Sequence, residues 1–201
     1  MYTGKAIETH FMTTPLILGF DTSASHCAAA LTYGHQVIEA RGEVMAKGQA
    51  ERLMGLLEEV LAAQKTTWQD LSAIAVGVGP GNFTGIRIGV SAARGLALGL
   101  GIPAYGVTGF DARQRLAVSG TQIAITAPRQ MAYIIGDNGP ELVPLDDVTL
   151  AASEPEPTDL ATATALHAAS LWPAPALAPA PFYIKLPDAA PARDAAPTLL
   201  Q

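Results

Sequence analysis

GVGPGNFTGIRIG, residues 77–89, decides how this 201-residue chain folds. It continues a nearly unbroken apolar run at 72–78, which predicts a strand covered on both faces, and it leads into a helical stretch over 83–100. Gly79 and Gly81 allow backbone angles closed to other residues, and Pro80 fixes the dihedral between them. Asn82 is placed to cap the helix by accepting an N–H from its first turn. Such a strand–turn–helix junction presents free N–H groups that suit an anion or phosphate. The alternative is a tight turn whose glycines only let helix and strand approach closely. The turn has no Gly-x-Gly-x-x-Gly and no Gly-Lys-Ser/Thr ending, so it matches no standard nucleotide fingerprint.

Upstream, residues 16–20 are an apolar run between Pro15 and Asp21-Thr22-Ser23, a buried strand entering a polar loop. Residues 26–32 and 36–43 predict two more strands around Tyr33-Gly34-His35, whose glycine suits a hairpin. The three form an antiparallel meander. Leu53, Leu56, Leu57, Val60 and Leu61 then fall on one stripe of a helix over 51–64, and Thr67-Trp68-Gln69-Asp70 reads as a capping box opening a short helix. Residues 102–107 predict a fifth strand. The first domain is therefore βββαβαβ, residues 14–107. A strand pair at 122–126 and 131–135 and a helix at 160–171 predict a smaller second domain, 108–172. A Pro/Ala-rich tail follows, 173–201, partly packed near Phe182-Tyr183-Ile184. Residues 1–13 read as a disordered, tag-like leader outside the fold.

Composition narrows the function classes. With 15% charged and 49% hydrophobic residues, the chain is not disordered throughout. A formal charge of −6 argues against free-standing binding to nucleic acid or an anionic membrane. Cys27 is the single cysteine, which excludes an internal disulfide and a cysteine-rich zinc site and favours a reducing compartment. No apolar stretch is long enough to span a bilayer, and the cytoplasm is the expected location. His10, His26, His35 and His167 are scattered and none pairs at ligand spacing, so no metal site is expected. Ser23 and Ser25 lie beside His26, but adjacency in sequence makes no triad and no nucleophile elbow surrounds them. Gly85, Gly89, Gly95 and Gly99 each cost roughly 1 kcal/mol inside a helix. They imply a face approached closely by another backbone, either a partner's or the chain's own sheet.

Asp21-Thr22-Ser23 after the first strand, together with GVGPGNFTGIRIGVSAARGLALGLGIP at 77–103, resembles the TsaB family, also called YeaZ. Pro181-Phe182-Tyr183-Ile184-Lys185 resembles that family's terminal PxYLR, with lysine for arginine. The likeness covers 16–107 well and 108–190 loosely. It implies an α/β protein of the ASKHA fold (actin, hexokinase, Hsp70), built from ribonuclease H-like subdomains, with a reduced second domain here. It also implies a non-catalytic subunit that binds and activates a TsaD-like transferase making N6-threonylcarbamoyladenosine at position 37 of tRNA. A TsaE-like ATPase is the further partner, and tRNA is met only through the complex. The chain would have no cofactor of its own, with ATP bound only in the complex, and would form a homodimer through the same surface when alone.

That surface is expected on helices 51–64 and 83–99. Leu53, Leu56, Leu57 and Leu61 would offer apolar area, while Gly85, Gly89 and Ala92 would allow close approach. Leu56→Asp or Gly89→Leu is then expected to abolish association while the monomer stays folded. Asp21, Thr22, Ser23, Gly79, Gly81 and Asn82 would form a vestigial nucleotide or phosphate site. Asp21 stands where ASKHA proteins place a carboxylate near the phosphates and metal; the alternative is a turn-forming aspartate. TsaD-like members carry a metal-binding His-x-x-x-His after the fifth strand, where this chain has Gly109 and Arg113, neither of them a ligand. Ala127-Pro128-Arg129 replaces the family's Asp-Ala-Arg. These departures favour a binding subunit over the competing readings, a stand-alone ASKHA ATPase or small-molecule kinase and a metal-dependent glycoprotease-like enzyme.

Overall fold

The chain's alternation of large and small apolar residues builds one sheet with two unlike faces. In the computed structural model, which describes residues 14–149 and 152–184, β1 (Leu16–Asp21), β2 (His26–Tyr33) and β3 (Gln36–Val44) form the expected antiparallel meander. Gly34 makes the hairpin turn at φ 58°. β4 (Ala73–Gly77) lies parallel to β1, and β5 (Ala104–Val107) parallel to β4, giving the order β3-β2-β1-β4-β5. Parallel neighbours need crossovers; α1 (Gln49–Ala63) and α2 (Phe83–Leu100) supply them. Leu18, Phe20, Leu31, Ile74 and Val76 point to these two helices and meet Leu53, Leu56, Leu57, Ile86 and Val90 in the main core.

The other face carries Ala28, Ala30, Ala73 and Ala75 beside Gly19, and α4 (Pro157–Leu171) lies down on it. A side chain at Gly19 would run into Ala165, so small residues on both surfaces set the close helix–sheet spacing. The sequence reading assigns this helix to the smaller second domain; its packing is with the five-stranded sheet. An alanine-rich helix has no leucine stripe to show which surface it covers.

Beyond β5 come α3 (Gly109–Leu116) and a three-stranded antiparallel sheet, β6 (Ala124–Ala127), β7 (Met131–Gly136) and β8 (Gly139–Pro144). The β6–β7 pair is the expected one. Helix α3 and strand β8 are additions, β8 being an edge strand that begins with Gly139-Pro140 and ends on Pro144. The expected helix after Thr67 is a single 3₁₀ turn, Trp68–Asp70, held by the expected capping box. The start of the tail is anchored: Tyr105 Oη donates to Ala174 O at 2.7 Å and Phe182 N to Val78 O at 2.8 Å. Tyr183 stacks on Phe83 at 5.1 Å and accepts from Arg87 Nε. The expected leader, 1–13, and the tail from 185 lie outside the described residues.

Candidate functional site

Because β1 and β4 are parallel neighbours, the loop leaving β1 and the turn leaving β4 emerge at the same end of the sheet. Asp21 ends β1 and is buried. Its Oδ1 accepts three hydrogen bonds: Ser23 N at 2.8 Å, Ser23 Oγ at 2.8 Å and His26 Nε2 at 2.7 Å. Burial pushes the carboxyl up, but the contacts from His26 and Ser23 outweigh it and hold Asp21 below its ordinary value. A side chain at Gly77 would overlap this carboxylate.

The turn closes over the loop. Asn82 N donates to Ser23 O at 2.6 Å, and Asn82 Oδ1 caps α2 by accepting from Gly85 N at 2.8 Å. Thr22 Oγ1 donates to Gly85 O at 2.8 Å. A Cβ at Gly81 would overlap the Ser23 carbonyl, and one at Gly85 the Thr22 carbonyl. Gly79 holds φ 99°, in the left-handed region that favours glycine, and its carbonyl accepts from Gly109 N. Asp21, Thr22, Ser23, Gly79, Gly81 and Asn82 are thus brought together. The close-approach reading accounts for Gly81 and Gly85, because the backbone of residues 22–23 fills the space they leave.

The same geometry limits the chemistry. A Ser–His–Asp relay needs the imidazole between hydroxyl and carboxylate. Here the carboxylate is central: Ser23 Oγ and His26 Nε2 both contact Asp21 Oδ1. No base is set to take the Ser23 proton, since a carboxylate held below its ordinary pKa is a weak one. His26 therefore belongs to the junction as a partner of Asp21, a role invisible when it is read as an isolated histidine.

The expected partner surface is corrected. Leu53, Leu56, Leu57 and Leu61 are buried in the chain's own core, because a crossover helix spends its apolar stripe on the sheet it covers. Gly85 and Gly89 face Thr22, and Ala92 is half-buried against the same core. The outward residues of the two helices are others: Glu51, Met54 and Glu58 on α1, and Arg87, Ser91, Arg94 and Leu98 on α2. Leu98 is 86% exposed.

The chain shows likeness to known proteins over part of its length and in its fold. A family model described as TsaD, tRNA N6-adenosine threonylcarbamoyltransferase, matches residues 37–136. The tRNA threonylcarbamoyladenosine biosynthesis protein TsaB of Escherichia coli is 37% identical over 92 residues, 46% of this chain and 39% of that protein. Its namesake in Buchnera aphidicola is 39% identical over 93 residues, 46% of this chain and 44% of that one. A crystal structure from Pseudomonas aeruginosa, of an uncharacterized protein with similarity to peptidase YEAZ, superposes with TM-score 0.69 at 21% identity. It covers 85% of this chain and all of that one. This chain is similar to TsaB/YeaZ proteins, and to the TsaD family model, over part of its length. Its fold is accordingly the ribonuclease H-like, ASKHA type. The matched segments span less than half the length of these two TsaB relatives.

Gly109 opens α3 and Arg113 lies one turn further along it. Arg113 Nη1 donates to Gly109 O at 3.3 Å, and Nη2 contacts Glu154. Among the described residues no three His, Cys, Asp or Glu side chains gather as a metal group, and no helix is long and apolar enough to cross a membrane. The Arg113–Glu154 pair escaped sequence reading because its members are 41 positions apart with no local pattern joining them.

Proposed function

We propose that this chain is a non-catalytic subunit that binds and activates a TsaD-like transferase in N6-threonylcarbamoyladenosine modification of tRNA. The observation that carries this reading is the closed junction. Asp21 is already bonded by His26 and Ser23, and the space beside Gly77, Gly81, Gly85 and Gly89 is filled by the chain's own residues 21–23. A motif used up in this way is a scaffold for α1 and α2, and their outer faces remain for partners. Catalysis and its ATP then belong to the complex, with a TsaE-like ATPase as the further partner and tRNA reached through the assembly. The cytoplasm is the setting this work requires.

The outer faces suit protein contact in charge as well as exposure. Glu51 and Glu58 stand seven positions apart on α1, and Arg87 and Arg94 seven apart on α2, which has no acidic residue. Two copies with α1 crossing α2 would set acid against base, so a homodimer through these faces competes with the heteromeric partner. The deciding experiment is co-expression with the same organism's TsaD-like protein, followed by size-exclusion chromatography and a tRNA-modification assay with and without this chain. A stable complex and a chain-dependent rise in modified tRNA are expected. Independent migration with no effect on modification refutes the reading. Calorimetry of the isolated chain with Mg-ATP should give no saturable heat; tight binding with turnover would instead favour a stand-alone ATPase.

A further inference from the structure

We infer that the cavity beside Arg113, between α3 and the segment leading into α4, is a binding site for a small aliphatic carboxylate. Arg113 is 6% exposed, yet its Nε has no hydrogen-bond partner. A guanidinium carries five N–H donors, and leaving them short in a buried place is costly. Two contacts are present: the carbonyl of Gly109 at 3.3 Å and one oxygen of Glu154. Glu154 is a weak anchor, since its side chain is 51% exposed and rises from a connecting segment.

The under-satisfied guanidinium lines a cavity of about 350 Å³, enough for a molecule of several carbon atoms. Leu116, Ala117, Ala152 and Pro155 supply apolar wall, and Asp159 adds a carboxylate. A buried cation against apolar walls is how small-molecule sites fix the orientation of an acid. The planar fork of arginine fits a carboxylate through two parallel bonds. Glu154 already meets Arg113 as a carboxylate does, so a ligand acid would take its place while Glu154 turns to solvent. Two acidic side chains nearby disfavour a dianionic phosphate. Asp159 adds preference for a ligand that also bears an ammonium group, as a free amino acid does.

The test is a titration of the full chain, followed through its ¹H–¹⁵N amide spectrum, with isovalerate, L-valine and isobutylamine. Isovalerate and L-valine are expected to move amides near 113–121 and 152–159 saturably, and isobutylamine, which lacks the acid, to move none. Tighter binding of L-valine than of isovalerate identifies Asp159 as the reader of the ammonium; the reverse order leaves the acid as the sole feature recognised. Glu154→Gln removes the internal competitor from an exposed position. It should tighten isovalerate about tenfold if Glu154 holds Arg113 nine-tenths of the time. Arg113→Lys should weaken it at least about tenfold, because the paired bonds are lost. Absence of saturable shifts in the Glu154→Gln protein, or equal response to isobutylamine, overturns the inference.

Discussion

Among the described residues, Asp21 and Arg113 are buried charged side chains, and the fold treats them differently. Asp21 receives three donors on one oxygen from neighbours within five residues, and the turn at 77–89 seals it. Arg113 donates one long bond, to Gly109 O, and meets one half-exposed carboxylate, and a cavity stands beside it. The first charge is satisfied by the chain itself, which marks it as architecture. The second is left short, which marks a place where something else can bind. The family's most recognisable motif therefore lies on the closed side, and the open side falls where the family pattern is weakest.

The largest effect should come from the floor that supports the closed junction. Leu56 is buried in the main core on α1, the helix that packs against β2 and β3, so Leu56→Asp forces a carboxylate into an apolar site. A loss of about 4 kcal/mol or more is expected, read as a collapse of the urea midpoint or failure to fold. A folded Leu56→Asp monomer with lost association would restore the leucine stripe as a partner surface. Gly85→Ala comes next. Its methyl would overlap the Thr22 carbonyl, backbone that has nowhere to go, so about 3 kcal/mol should be lost in the same measurement. A neutral result would mean the 22–23 loop is not held against α2.

Asp21→Asn tests the charge at the centre of the junction, and about 2 kcal/mol at neutral pH is expected, the worth of hydrogen bonds to an ionised acceptor. The pH dependence has a definite sign. Asp21 is held below its ordinary value when folded, so its contribution is full above the usual carboxylate range. That contribution is lost as pH falls through the lower folded value. Chemical denaturation from pH 7 down to pH 2 should show the gap between wild type and Asp21→Asn closing only at the acid end. A gap that stays constant would mean the carboxylate's charge does not matter there.

Much of residues 14–107 was legible because it rests on local patterns. The apolar stripe of α1, the Gly34 turn, the Thr67 capping box and the Asn82 cap are each written within a few residues and each appear as read. Periodicity shows that a helix has an apolar side and is silent on what covers it, which is why Leu53, Leu56, Leu57 and Leu61 were offered to a partner and belong to the core. α4 covers its sheet with alanines, and β8 is bounded by prolines, so neither carries a strong pattern. The Asp21–His26 contact depends on the bend between β1 and β2, and Arg113–Glu154 on packing between distant segments. Pairings of that kind have no signature in one sequence.

The smallest effect on stability should carry the most information about function. Arg94 and Leu98 lie on the outer face of α2, exposed and away from the junction. Arg94→Glu and Leu98→Asp should each change stability by no more than about 0.5 kcal/mol, as exposed substitutions do. If the outer face is the docking surface, the same changes should weaken co-elution with the TsaD-like partner by at least about tenfold, since a reversed charge and a buried carboxylate both oppose contact. Pairing Arg94→Glu with Glu51→Arg or Glu58→Arg in a second copy should restore the homodimer if α1 meets α2 across it. Full association in both single variants would leave the closed junction intact and move the partner surface elsewhere. That outcome would separate what the motif builds from where the protein binds.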